Sequence, residues 1–149
     1  ENIANFRKDE GASLEKEFQL RIGNINNLMT EAVSYDAERV ETVKTRLRTA
    51  LDELKVNVDE NRFEQELIFY LEKYDITEEK VRLGNHLNYF LETLNGTEAN
   101  GRKLGFITQE MGREINTMGS KSNHTEMQKL VVMMKDELEK IKEQVLNVL

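Results

Sequence analysis

Proline is absent from all 149 residues of the chain. At its usual frequency of roughly 5%, about seven would be expected. No residue ends a helix interior more firmly: a proline there costs about 3 kcal/mol, because it removes a backbone donor and its ring clashes with the preceding turn. A chain without it can run in long helices punctuated only by Gly, Asn, Asp and Ser. Proline-rich linkers and polyproline recognition segments are excluded on the same ground. Cysteine is also absent, which removes disulfide frameworks and Cys-based zinc sites and fits a reducing compartment.

The apolar spacing is helical almost throughout. Leu14, Phe18, Ile25, Leu28, Met29 and Ala32 form one stripe after Gly11. Asp36 is then expected as an N-cap, opening a stripe of Val40, Val43, Leu47, Ala50, Leu51 and Leu54. Asp59 is expected to cap a third helix with Phe63, Leu67, Tyr70, Leu71 and Tyr74 facing inward. Asp75, Thr77 and Glu78 mark the next start in a weak capping-box pattern. Leu83, Leu87, Phe90, Leu91 and Leu94 follow at threes and fours, until Asn95-Gly96 opens a loop over 95–101.

A fifth helix is expected from near Asn100, burying Leu104, Ile107 or Phe106, Met111, Ile115 and Met118, and ending at Gly119. Ser122 or Asn123 is expected to cap the last helix, with His124 as a helix-start residue. Met127, Leu130, Met134, Leu138, Ile141, Val145 and Val148 make its seam coiled-coil-like over about three heptads and about 37 Å. Met127, Met133 and Met134 fit a core or an oligomer interface better than any cofactor role. No period-two pattern survives. The fold class is therefore all-α: about six helices in antiparallel hairpins or a bundle, with a long coiled-coil-like C-terminal helix.

Residues 101–123 stand apart. Glycines at 105 and 112 interrupt a helical pattern, each at about 1 kcal/mol relative to Ala. Seven apart, they lie near one face and admit a backbone or ligand at close range. Glu110 and Glu114 are four apart, so both carboxylates project from one face. Gln109, Arg113 and Asn116 are related by four and three. Arg102, Lys103 and Lys121 flank them, giving this stretch a net charge of +2 and leaving −9 elsewhere, within a total of −7. The total alone argues against a basic nucleic-acid coat, but its distribution leaves room for a local one.

Residues 75–149 resemble the C-terminal region of the YicC/YloC family of bacterial endoribonucleases. The likeness rests on Asp75-Ile76-Thr77-Glu78-Glu79, Val81-Arg82-Leu83, His86-Leu87, Phe90, Gly101-Arg102-Lys103-Leu104, Gln109-Glu110-Met111, Arg113-Glu114, Asn116-Thr117, Gly119-Ser120-Lys121-Ser122 and Lys140-Ile141-Lys142-Glu143-Gln144-Val145. Weaker similarity reaches back through Gln65-Glu66, Arg62 and Glu10-Gly11. Gly105 and Gly112 depart from the family pattern, where many members carry Asp and Asn.

The resemblance implies a cytoplasmic, metal-dependent endoribonuclease that hydrolyses single-stranded RNA and assembles as a homo-oligomer, a hexamer in full-length form. It also implies an N-terminal domain of similar size. Residues 1–149 are then expected to be the all-α C-terminal portion of a longer protein, with 1–74 a helical region of unclear role and 75–149 the signature region. The chain's start at Glu1 rather than Met carries the same expectation.

On this reading Glu110 and Glu114 are the catalytic carboxylates and the ligands of a divalent cation, Mn²⁺ or Mg²⁺, which favours carboxylate oxygens and can activate water. Their ordinary alternative is a solvated face paired with Arg113. His86, at the edge of the apolar stripe, is a third catalytic candidate as a general acid–base, against a structural role. Arg102, Lys103, Arg113 and Lys121 are candidate phosphate contacts, and Gln109 and Asn116 candidate RNA-positioning groups, against solubilising and capping roles. A different class is equally defined: a non-catalytic helical module that oligomerises or adapts through its last helix, or an RNA-binding regulator without cleavage. No apolar stretch approaches the roughly 18 residues a membrane span needs, and no N-terminal signal pattern is present.

Overall fold

The computed structural model describes residues 2–54, 57, 59–96, 101–122 and 124–147, with only the backbone described for 2–11 and Ala37. Within them lie six helices and no strand: α1 (Asn2–Ser34), α2 (Asp36–Glu53), α3 (Glu60–Lys73), α4 (Thr77–Asn95), α5 (Gly101–Lys121) and α6 (Thr125–Leu146). The all-α expectation holds. No helix among the described residues is long and apolar enough to cross a membrane.

Four of these helices close on one another. α1 packs on α6, α6 on α5, α5 on α4, and α4 back on α1. Cross-contacts set every pairing antiparallel. Tyr35 stacks on His124 while Arg21 reaches Glu137, so α1 and α6 run oppositely. Lys121 meets Glu79 and Lys103 meets Tyr89, so α5 and α4 do too. The interior holds the apolar stripes: Phe18, Ile25, Leu83, Phe90, Leu104, Ile107, Met111, Ile115, Met118, Met127, Met134 and Ile141 are fully buried. Phe18 meets Phe90 edge-on with ring centroids 5.3 Å apart, an arrangement that adds about 0.5–1.5 kcal/mol to area burial. Between the two candidates on α5, Ile107 is the core residue and Phe106 faces solvent at 61% exposure.

Three glycines line the face where α5 meets α6, and two of them are tightly approached. A Cβ on Gly105 would sit 3.9 Å from Val145 Cγ1, one on Gly112 3.2 Å from Leu138 Cδ2, and one on Gly119 3.1 Å from Val131 Cγ1. They lie seven apart along one face of α5, and that face is covered by α6. Glycine at 112 and 119 therefore serves helix packing against α6, whereas at 105 an added Cβ would meet only ordinary contact.

Helix ends depart from expectation in instructive ways. Asp59 caps α3 as expected, accepting from the backbone N–H of Asn61 and Arg62. Asp36 is not an N-cap. Tyr35 alone joins α1 to α2 and is itself helical in backbone (φ −83°, ψ −4°), leaving no extended residue to present a capping side chain. Asp36 instead sits in the first turn and accepts from Arg39 at 2.9 Å. Asp75 receives both the N–H and the hydroxyl of Thr77, while Glu78 turns to Arg82 rather than back to the helix start. α6 is capped by His124, whose Nδ1 accepts from the Met127 N–H at 3.4 Å; Asn123, Asn100 and Val148 lie outside the described residues.

α2 and α3 form an excursion beside the bundle. Arg48 of α2 pairs with Glu60 and lies 4.0 Å over the Phe63 ring of α3. Their apolar stripes do not join the main core: Leu47 and Leu54 are exposed, and a groove of about 590 Å³ opens between Leu47, Leu51, Phe63, Leu67, Phe69 and Tyr70. Periodicity reports that a face is apolar without reporting what covers it. The seam of α6 has the converse outcome, because it is buried against α1 and α5 of the same chain. That removes the basis for reading it as an intermolecular coiled coil.

Candidate functional site

The α4–α5 interface is apolar through Leu83, Leu87, Phe90, Ile107, Met111 and Met118, yet a polar seam runs along one edge of it. At one end Lys121 Nζ donates to Glu79 Oε1 at 2.6 Å and to the Asp75 carbonyl at 3.2 Å. Next along, Arg82 Nε donates to Glu114 Oε1 at 3.0 Å and Arg82 Nη1 to Glu78 Oε2 at 3.3 Å, with Nη2 3.7 Å from Glu79 Oε1. At the other end Lys103 Nζ lies 5.0 Å from the Tyr89 ring centroid. The antiparallel register fixed by these pairs sets His86 at the level of Glu110, between the Arg82–Glu114 and Tyr89–Lys103 contacts.

The two carboxylates central to this seam are buried: the side chains of Glu79 and Glu114 are 2% and 7% exposed. Desolvation of a carboxylate is expensive unless it is matched by charge and hydrogen bonds. Each is matched on one oxygen only. Glu79 Oε2 and Glu114 Oε2 are buried without a hydrogen-bond partner among the described residues. Arg82 keeps 47% of its side chain exposed while its inner edge reaches both acids. The hydrogen bond from Arg82 to Glu114, with the charge of Glu114 and Glu78 behind it, raises the guanidinium above its already high range.

The sequence-predicted residues separate onto two adjacent stripes of α5. Glu114 and Lys121 sit on the α4 side, and the partly buried Glu110 falls four residues before Glu114 on the same stripe. Arg102, Gln109, Arg113 and Asn116 recur with Phe106 on the outward stripe, all exposed. Glu110 and Glu114 share a stripe as expected but differ in environment, since Glu114 is held by Arg82. The solvated pairing with Arg113 is not what the structure shows for Glu114. Lys121 is committed to Glu79 and the Asp75 carbonyl, so its charge compensates a buried acid. Lys103 is exposed and engages Tyr89. His86 is half-buried and makes no side-chain hydrogen bond among the described residues.

Glu79, Arg82 and Tyr89 belong to the seam and were not singled out from spacing. The signal was available: Glu79 lies four residues before Leu83, in phase with the apolar stripe of α4. A carboxylate in that phase must be paired when buried.

Among the described residues no group of three or more His, Asp or Glu side chains is placed to hold a metal ion. A cage built from protein alone is absent from that set. Glu114 Oε2 is unmatched but closed off from solvent, so the partly buried Glu110, one turn before it, is the carboxylate more open to the other common arrangement, in which a hydrated divalent cation takes one or two carboxylates and completes its sphere with water and substrate phosphate.

The profile described as endoribonuclease YicC-like, C-terminal, matches residues 32–149. A protein of Clostridioides difficile named probable endoribonuclease YicC is 38% identical over 149 residues, covering 98% of this chain and 51% of that protein. Its namesake in Haemophilus influenzae is 32% identical over 142 residues, covering 95% of this chain and 50% of that protein. The chain thus spans about half the length of the curated relatives it matches.

Proposed function

The chain belongs to the YicC-like endoribonuclease family, and on that premise we propose that it contributes the α4–α5 seam as the reaction site of an endoribonuclease cleaving single-stranded RNA. The observation that carries this reading is the Arg82–Glu114 pair, a half-exposed guanidinium anchored on a buried carboxylate that keeps one oxygen unmatched. Anchoring removes most of the conformational freedom of Arg82, so that its outer edge meets a phosphate already oriented. A guanidinium fixed in this way stabilises charge developing on phosphoryl oxygens.

The outward stripe supplies the approach. Arg102 and Arg113 contact backbone phosphates, Gln109 and Asn116 position sugar or phosphate oxygens, and Lys103 joins them beside Tyr89. Glu110 accepts the proton of the attacking water, and His86 donates one to the leaving oxygen as the P–O bond breaks. A divalent cation, Mn²⁺ or Mg²⁺, held by Glu110 and Glu114, would neutralise phosphate charge and lower the pKa of bound water. Lys121 keeps Glu79 compensated and so maintains the end of the seam. Assembly as a homo-oligomer and a cytoplasmic location are part of the same proposal. The exposed apolar groove between α2 and α3 supports the former.

The test is cleavage of end-labelled single-stranded RNA with and without Mn²⁺, comparing the protein with Glu110→Gln and Arg82→Lys versions. Cleavage reduced at least tenfold in both supports the seam. Equal cleavage by all three removes it.

A further inference from the structure

A second polar site lies outside the seam. Arg39 of α2 is 3% exposed. Its Nε donates to Asp36 Oδ1 at 2.9 Å, and its Nη1 is buried with no acceptor among the described residues. A buried charged donor left unmet bears its full desolvation penalty, and few survive in native structures without a partner. Arg39 lines a cavity of about 110 Å³ together with Thr42, Arg46, Tyr70, His124 and the apolar side chains of Val43 and Leu47. At about 30 Å³ per liquid water, that space accommodates one tetrahedral oxyanion.

The surroundings favour an anion. Arg39, Thr42 and Arg46 recur at three and four along one face of α2. Arg46 makes no ion pair among the described residues, so the site carries a second cation. His124 is the N-cap of α6, and a helix N-terminus adds roughly half a positive charge. Two carboxylates are nearby, Asp36 on Arg39 and the exposed Glu38 3.3 Å from His124 Nε2. Neither lines the cavity.

We propose that this cavity is a phosphate-binding site, with Arg39 and Arg46 as the charged donors and Thr42 as a hydroxyl donor. It shares no residue with the seam but lies beyond its Lys121 end, since His124 follows Lys121 by three residues and α3, which carries Tyr70, leads into the Asp75 carbonyl that Lys121 contacts. The occupant is either a backbone phosphate of an RNA strand leaving the seam or free phosphate. The first source rests on the endoribonuclease reading, whereas the second does not.

The experiment is a ¹H–¹⁵N titration of the chain with inorganic phosphate at constant ionic strength, chloride replacing it in the control. Saturable shifts are expected at Arg39 Nε–H and at the Thr42, Arg46 and Thr125 amides, with Arg82 unmoved. Arg46→Ala, an exposed substitution, should weaken binding at least fivefold without disturbing the spectrum elsewhere. Arg39→Met should abolish it, its spectrum reporting whether the fold is kept. Shifts that do not saturate, equal shifts with chloride, or unchanged affinity in Arg46→Ala overturn the proposal. In a second arm a short uncleavable single-stranded RNA is added. Displacement of phosphate by RNA identifies a backbone phosphate as the occupant. Phosphate binding that RNA leaves untouched supports the site with free phosphate as its ligand. Saturable phosphate binding in a protein that cleaves no RNA sustains this site while removing the reading of the seam.

Discussion

Glu114 Oε1 accepts from Arg82 Nε at 3.0 Å, which ties a nearly buried carboxylate of α5 to a half-exposed guanidinium of α4. The pair crosses the interface that carries the candidate chemistry, so its two members are separable by substitution. Arg82→Lys keeps a charge but loses the planar fork that reaches Glu78, Glu79 and Glu114 together. RNA cleavage should fall about 10²-fold, the scale of losing one oriented charge-stabilising donor. Thermal unfolding should move little, because Arg82 is exposed enough for water to replace part of what it loses. A parallel drop in melting temperature and activity would instead mark Arg82 as a purely structural residue.

Glu79 and Lys121 form the second crossing pair, and here stability is the readout. Lys121→Met leaves a 2%-exposed carboxylate facing no ammonium. The expected loss is about 2–3 kcal/mol, somewhat below the 3–5 kcal/mol of breaking a fully buried pair, because Lys121 retains water contact. Adding Glu79→Leu should recover most of it, since replacing both partners by apolar groups removes the stranded charge. A double-mutant cycle by urea denaturation checks this; additive losses would show that the two side chains do not depend on each other.

The glycine stripe of α5 predicts three different outcomes for one substitution. At Gly105 an added Cβ meets only ordinary contact, so Gly105→Ala should stabilise by about 0.5–1 kcal/mol through helix propensity. At Gly119 the Cβ would press on Cγ1 of Val131, whose β-branched side chain has little freedom at χ1. Gly119→Ala should therefore destabilise by about 1 kcal/mol or more, in the range for overpacking. Gly112→Ala should fall between them, because the Cδ2 end of Leu138 can turn away. Equal shifts in urea midpoint at 105 and 119 would show that the α5–α6 spacing relaxes freely.

These cases show where sequence and structure part. Stripes such as Leu83–Leu87–Phe90 and Met127–Met134–Leu138 specify the bundle helices, because a periodic apolar face must be buried and the loops between α4, α5 and α6 are short. The same rule applied to Leu47 and Leu54 finds an apolar face but not a cover, since covering depends on tertiary or quaternary neighbours that spacing does not encode. Glu110 and Glu114 read as equivalent from their spacing of four. Only the presence of Arg82 across the interface makes one of them buried and paired. Gly105 and Gly112 read as openings for a ligand or a backbone, and what faces them is side chains of α6, Leu138 closely at 112 and Val145 at ordinary distance at 105. The Arg39 cavity was silent, because it arises where α2 passes the start of α6, far along the chain.

Acid titration tests how α1 is held to α6. Glu137 accepts from Arg21 at 3.2 Å and from Asn24 at 3.3 Å. Burial pushes its carboxyl up, but the hydrogen bonds from Asn24 and Arg21, with the charges of Arg21 and Lys140, outweigh it and hold the pKa below the ordinary 4.5. A carboxylate whose pKa is lower in the folded state releases its proton more readily there than in the unfolded chain. Its stabilisation is therefore fully present above about pH 4.5 and is lost as pH falls through the folded value. Glu137→Gln should cost about 1 kcal/mol at pH 7, the scale of a partly solvated charge-assisted hydrogen bond. The difference from the unsubstituted protein should shrink as pH falls through the folded value, toward zero once both carry a neutral side chain at 137. Urea midpoints across that range measure it; a difference that stays constant with pH would show that Glu137 acts through packing rather than charge.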